Sequence, residues 1–184
     1  MIILIGATCS GKDSIKKELI NLGYESVVTY TTRPMRPGEI DGVTYHFISK
    51  EEFLQKKSEG FFAETTFYNV ASGETWYYGS AIKDLTANKV IIANPDGVKE
   101  LKKHMNLNPV VFHITANKET IWNRLMHRGD NVEEAQRRLN ADELDFMGIN
   151  KYVDFKISNN ENDDPSSIAA LIDLTYSMKD GDED

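Results

Sequence analysis

Cysteine is almost absent from this chain of 184 residues: Cys9 is the only one. That excludes an intramolecular disulfide and any multi-cysteine metal site, and it agrees with a reducing compartment. Long apolar runs are missing too. No stretch approaches the roughly 20 apolar residues that a membrane helix needs, and the opening MIILI is too short for a signal-peptide core. The expectation is a cytoplasmic protein with no membrane partner. Positive charge is also in deficit, with 21 Lys and Arg against 29 Asp and Glu and a net charge of -8. Such a chain repels nucleic acid as a whole, so its arginines must act locally. The histidines His46, His104, His113 and His127 are dispersed without metal-ligand spacing, and there is no internal repeat. The length fits one compact domain, as a monomer or homodimer.

What is present is an alternation of short apolar runs with helical periodicity. Ile2 to Ile5, Val90 to Ala93 and Val110 to Ile114 read as buried strands. Each precedes a segment with apolar residues at three- and four-residue spacing: Asp13 to Leu22, Asp96 to Met105 and Lys118 to His127. This order predicts an α/β fold with a parallel sheet wrapped by helices. Thr29 to Ser80 breaks the rhythm, with short alternating pieces at Thr44 to Ile48 and Gly60 to Thr66, and reads as an inserted subdomain. Arg128 to Met147 is charged and helical and reads as a lid. The division is therefore a core of residues 1–28, 81–127 and 148–180, an insertion of 29–80 and a lid of 128–147. The closing KDGDED, Lys179 to Asp184, is expected to fray, leaving 181–184 as an acidic tail.

Between the first strand and the first helix lies GATCSGKDS, comprising Gly6, Ala7, Thr8, Cys9, Ser10, Gly11, Lys12, Asp13 and Ser14. Glycines at this spacing let backbone amides turn inward around phosphate oxygens. The helix N-terminus adds favourable partial charge, and Lys12 reaches the transferred group. This is the P-loop arrangement of an ATP site. A Ser or Thr directly after the lysine normally holds Mg2+; here that place is Asp13, and Ser14 stands one residue late. Asp13 either points away from the phosphates or touches the metal through water. Cys9 is either a small spacer or a thiol with a pKa lowered by the helix terminus.

The second signature is TTRPMRPGEIDGVTYHF, Thr31 to Phe47. Arg33 and Arg36 sit on a segment stiffened by Pro34 and Pro37, and guanidinium forks suit a phosphate dianion. Tyr45 and Tyr78 can add hydroxyl donors. The competing reading is a surface loop whose arginines pair with Glu39 and Asp41.

Together with FFAET (Phe61 to Thr65), YGS (Tyr78 to Ser80) and RLMHRG (Arg124 to Gly129), these strings resemble the guanylate kinase family in order over about residues 1 to 160. The resemblance implies a three-layer P-loop NTPase fold with a nucleoside-monophosphate-binding subdomain and a lid, transferring phosphate from ATP to GMP and more weakly to dGMP. It places Arg33, Arg36, Tyr45 and Tyr78 on the GMP phosphate and Thr29, Glu64 and Ser80 around the guanine. A carboxylate at Glu64 suits guanine, which offers it the N1 hydrogen and the exocyclic amine. Lys12, Arg124, Arg128 and Arg138 are placed around the migrating phosphoryl group, and Asn159 near the adenine, where an ordinary turn residue is the other reading. Magnesium would enter with ATP, with Ser14 as its candidate ligand.

Two departures from the family pattern stand out. Its acidic residues after the Val90 strand are replaced by Ile92 and Asn94, with Asp96 the nearest acid, and Thr66 to Trp76 is a few residues longer. GKDS also resembles the loop of ribose 1,5-bisphosphate phosphokinases. A guanylate-kinase-like interaction domain without catalysis is the third reading. The guanine-type signature opposes the former and the intact loop opposes the latter.

Overall fold

A computed structural model describes residues 1–69, 73–104, 108–129 and 131–181. Its centre is a five-stranded sheet in the order β2-β7-β1-β8-β9, formed by β2 (Glu25–Ser26), β7 (Lys89–Ile92), β1 (Ile2–Ile5), β8 (Val110–Thr115) and β9 (Phe155–Ser158). Every pairing in it is parallel. A parallel sheet is covered on both faces, which is why β1 reads as an unbroken apolar run. Ile2 and Leu4 pack with Ile15 and Leu19 of α1 (Lys12–Asn21) and Ile172 of α6 (Pro165–Gly181). Ile3 and Ile5 pack on the opposite face with Val98 and Leu101 of α3 (Pro95–Leu101). Full burial of each such side chain contributes about 1.5–3 kcal/mol.

The departure from rhythm after Thr29 is a second sheet, in the order β4-β3-β6-β5. It comprises β3 (Tyr30–Thr31), β4 (His46–Phe47), β5 (Phe62–Asn69) and β6 (Thr75–Ala81), with α2 (Lys50–Ser58) after β4. Tyr30, Phe53, Phe61, Phe62 and Tyr77 form its own small core, so the rings here pack protein. Two further helices, α4 (Lys118–His127) and α5 (Val132–Asp145), pack through Ile121, Leu125, Ala135 and Leu139. The charged segment expected to form a lid is helical over Val132–Asp145 and packs against an apolar stripe on α4.

Some boundaries differ from expectation. The third helix ends at Leu101; the expected end at Met105 lies outside the described residues, as do 70–72 of the Thr66 to Trp76 segment. At the C-terminus α6 continues to Gly181. Lys179 does not fray: its Nζ donates to Asp154 Oδ1 at 2.8 Å. Asp154 Oδ2 also accepts from Lys102 Nζ at 2.7 Å and the Val111 N–H at 2.8 Å, which ties the last helix to the sheet. Residues 182–184 lie outside the described residues.

His113 on β8 is buried, stacks on Phe146 with ring centroids 5.1 Å apart, and leaves Nδ1 without a partner. Burial, with Lys156 and Lys12 adding to it, lowers its pKa to about 4. The unfolded chain takes up this proton near the ordinary value of 6.5 while the folded chain does not. Stability is therefore expected to fall as pH drops from about 6.5 toward 4. Urea unfolding at pH 7 and pH 5 should show the loss, and His113→Leu should reduce it.

Candidate active site

The loop between β1 and α1 is shaped by contacts that only glycine permits. At Gly6 an added Cβ would lie 2.2 Å from the Ile114 carbonyl oxygen. At Gly11, where φ is +94°, it would lie 2.0 Å from Asn159 Nδ2. Cys9 also has positive φ, 54°, and its side chain packs against the Ile121, Leu125 and Ala135 cluster. That packing fits the spacer reading.

Two distant segments hold the loop from outside. Asn159 is 1% exposed and donates from Nδ2 to the Ser10 carbonyl at 2.8 Å. Arg124 donates to the Cys9 carbonyl at 3.1 Å and to the Asn160 carbonyl at 3.0 Å. Lys12 Nζ donates to the Ala7 carbonyl at 2.7 Å and lies 3.4 Å from Ser10 Oγ. Burial lowers its pKa, opposed by the negative charges of Asp13 and Asp142.

Lys12 lines two cavities. One, of about 260 Å³, is bounded by Cys9, Gly11, Asp13, Ser14, Arg124, Arg128, Asn159 and Pro165. The other, of about 450 Å³, is lined by Thr29, Tyr45, Glu64, Thr66, Tyr68, Tyr78 and Asn94, with Asp142 and Asp145 of α5. A more apolar cavity of about 590 Å³ lies between α4 and α5, lined by Trp122, Leu139 and Phe146. It lacks the converging cations.

Arg33 is 5% exposed. It donates to Glu39 at 2.6 Å and to the Pro34 carbonyl at 2.8 Å, and its guanidinium lies 5.4 Å from the Tyr45 ring centroid. The Glu39 pairing weighed against a phosphate site is therefore present. Glu39 also accepts from the Arg36 N–H at 2.7 Å, which shapes the turn and leaves the Arg36 side chain exposed. Asp41 instead accepts from the Phe47 N–H at 2.8 Å. A guanidinium has five N–H donors, so Arg33 keeps donors beyond those two bonds.

Glu64 faces Ser80 across the β5–β6 ladder, and Ser80 Oγ donates to Glu64 Oε1 at 2.7 Å. Burial pushes the Glu64 carboxyl above its ordinary pKa, with the Ser80 bonds opposing. Arg124 on α4 and Arg128, the residue that caps that helix, line the smaller cavity. Arg138 lies on α5 within electrostatic reach of Asp142.

Asp142 lies within the charged Arg128 to Met147 segment and belongs to no motif in the sequence. Its Oδ2 accepts from the Thr8 N–H of the loop at 2.6 Å. The signal was weak because an Asp among Arg137, Arg138, Glu143 and Asp145 reads as surface charge. Thr66 and Tyr68 also line the larger cavity; their period-two spacing from Glu64 was the available clue.

The guanylate kinase family model matches residues 1–173. The chain belongs to the guanylate kinase family. It is 32% identical over 190 residues to the guanylate kinase of Helicobacter hepaticus, covering 97% of this chain and 90% of that protein. It is 36% identical over 149 residues to that of Helicobacter pylori, covering 76% and 69%. The crystal structure of guanylate kinase from Anaplasma phagocytophilum shares the fold, with a TM-score of 0.65 at 24% identity over 97% of this chain and 85% of that one. Among the described residues no helix is long and apolar enough to cross a membrane.

The closeness of the loop to its supports has a measurable consequence. Gly11→Ala is expected to lower unfolding stability by about 1–3 kcal/mol, because its methyl group and backbone angle both conflict with the fold. Chemical denaturation measures it; an unchanged midpoint would mean that Asn159 moves aside freely.

Proposed function

We propose that this chain transfers the terminal phosphoryl group of ATP to GMP, yielding ADP and GDP, and that it accepts dGMP less well. The observation that carries the reading is Lys12 lining both cavities. A single cation at their junction can follow a phosphoryl group from one bound nucleotide to the other.

In this reading ATP phosphates rest on the amides of Ser10 to Ser14 in the smaller cavity. The larger cavity takes GMP, with its phosphate on Arg33, Arg36, Tyr45 and Tyr78 and its base among Thr29, Glu64 and Ser80. A GMP phosphate oxygen attacks the terminal phosphorus while the bond to the ADP oxygen breaks. No general base is needed, because the accepting phosphate is already largely ionised near neutral pH. Lys12, Arg124, Arg128 and Arg138 neutralise the charge that spreads over the migrating group, and positioning with electrostatics supplies most of the catalysis in such transfers.

The donors at the mouth of the smaller cavity are hard oxygens, the Ser14 hydroxyl and the Asp13 carboxylate, both exposed. They fit magnesium, which keeps several waters and binds chiefly through nucleotide phosphates. Ser14 would hold it directly and Asp13 through water, and the metal would supply further neutralisation of phosphate charge.

The test is ADP release from ATP and magnesium with GMP, dGMP, AMP, CMP, UMP and ribose 1,5-bisphosphate offered separately. Turnover confined to the guanine nucleotides is expected; turnover with the ribose bisphosphate alone would overturn the reading. Lys12→Ala should lower kcat by at least roughly 1,000-fold at an unchanged unfolding midpoint. Glu64→Gln should raise the KM for GMP by roughly 100-fold, since it removes a charged acceptor for two hydrogen bonds. The same change should leave stability at pH 7 equal or higher, because the native pKa is raised and burial disfavours the charge. A wild-type KM in that variant would remove Glu64 from base recognition.

A further inference from the structure

The loop between β1 and α1 is divided between the two cavities. Gly6, Thr8 and Lys12 line the larger one, while Cys9, Gly11, Lys12, Asp13 and Ser14 line the smaller. Thr8 thus belongs to the larger cavity, and there its N–H donates to Asp142 Oδ2 at 2.6 Å. Asp142 comes from α5, 134 residues away in the chain. Burial and Asp145 raise its pKa, while the Thr8 N–H, Lys12 and Arg138 oppose them.

An anionic oxygen on a loop amide, within electrostatic reach of the loop lysine, has the surroundings that a phosphoryl oxygen takes at such loops. One N–H cannot serve both. A phosphoryl oxygen brought to Thr8 meets a carboxylate oxygen already there, and two negative charges at that separation repel.

We infer that Asp142 competes with the terminal phosphoryl group of ATP for the Thr8 N–H and so sets the affinity of this chain for ATP relative to ADP. The inference rests on the proposed phosphoryl transfer and deepens it. In that reading the phosphates common to ATP and ADP rest on the Ser10 to Ser14 amides in the smaller cavity. The terminal group lies beyond them, beside Lys12 and toward the larger cavity. ADP therefore leaves the Asp142 bond in place, whereas ATP must displace the carboxylate before its last phosphoryl group can take the Thr8 amide. The penalty falls on the triphosphate alone.

Isothermal titration calorimetry with magnesium and either ATP or ADP, without GMP, reads this directly. Asp142→Ala removes the competitor. It should lower the Kd for ATP about tenfold, the size of one charge-assisted hydrogen bond no longer lost on binding, and leave the Kd for ADP within about twofold of wild type. Asp142→Asn keeps the size and an oxygen acceptor but makes the bond neutral, so the gain for ATP should be about threefold. Asp145→Asn is the control, because Asp145 lines the same cavity from the same helix while Asp142 is the acceptor of the Thr8 N–H. It removes an equal charge and should shift both nucleotides together, keeping the ratio of their Kd values within about twofold of wild type. An unchanged or raised Kd for ATP in Asp142→Ala, an equal gain for ADP, weakened ADP binding in both Asp142 variants, or a change of ratio in Asp145→Asn as large as in Asp142→Ala would each overturn the inference while leaving the kinase reading intact. Absence of GMP turnover by the wild-type protein would instead overturn the kinase reading, and this inference with it.

Discussion

The rest of the site depends on how tightly the phosphate loop is packed against its own fold. The loop leaves β1 with the Gly6 backbone against the Ile114 carbonyl and enters α1 with Gly11 against the Asn159 amide. Neither place has room for a side chain. Because the backbone is gripped at both ends, Lys12 emerges at one position, and that position is the junction of the two cavities. Preorganisation of this kind matters for phosphoryl transfer, where there is little covalent work for side chains and placement of charge carries the effect.

The electrostatics follow from the same economy. A chain with a net charge of -8 has no general attraction for nucleotides, so under the proposed function its cations must be concentrated where phosphate would bind. Carboxylates then manage those cations. Glu39 bridges Arg33 and the Arg36 backbone, ordering the turn that presents both. Asp142 reaches from α5 to the Thr8 amide, so that helix touches the loop directly. Glu64 is the costly member: it is buried with its charged form disfavoured, and the base-binding role proposed for it is one that offsets such a cost.

Much of this was legible in the residues taken in order. Ile2 to Ile5, followed by glycines at the right spacing and Lys12, predicted the strand, the turn and the helix that the structure contains. The helix expected over Lys118 to His127 has those bounds. Local signals of this kind survive because hydrogen bonding, backbone angles and side-chain period act over a few residues. Ends were less legible. The third helix stops earlier than its apolar spacing suggested and the last one runs through Lys179, because an ion pair with Asp154 rewards its continuation.

By itself, then, the sequence determined the alternating core, the phosphate loop, the arginine-rich turn and the family. Tertiary structure alone decided which distant groups meet. Asn159 lies 149 residues from the Ser10 carbonyl it holds, Asp142 lies 134 from Thr8, and Asn94 lies 28 from Thr66. None of these pairs has a spacing signature, since an Asn or Asp reads equally as a turn residue, a cap or a solvated surface group. Their roles arise when packing removes water and leaves each polar atom only the partners within reach.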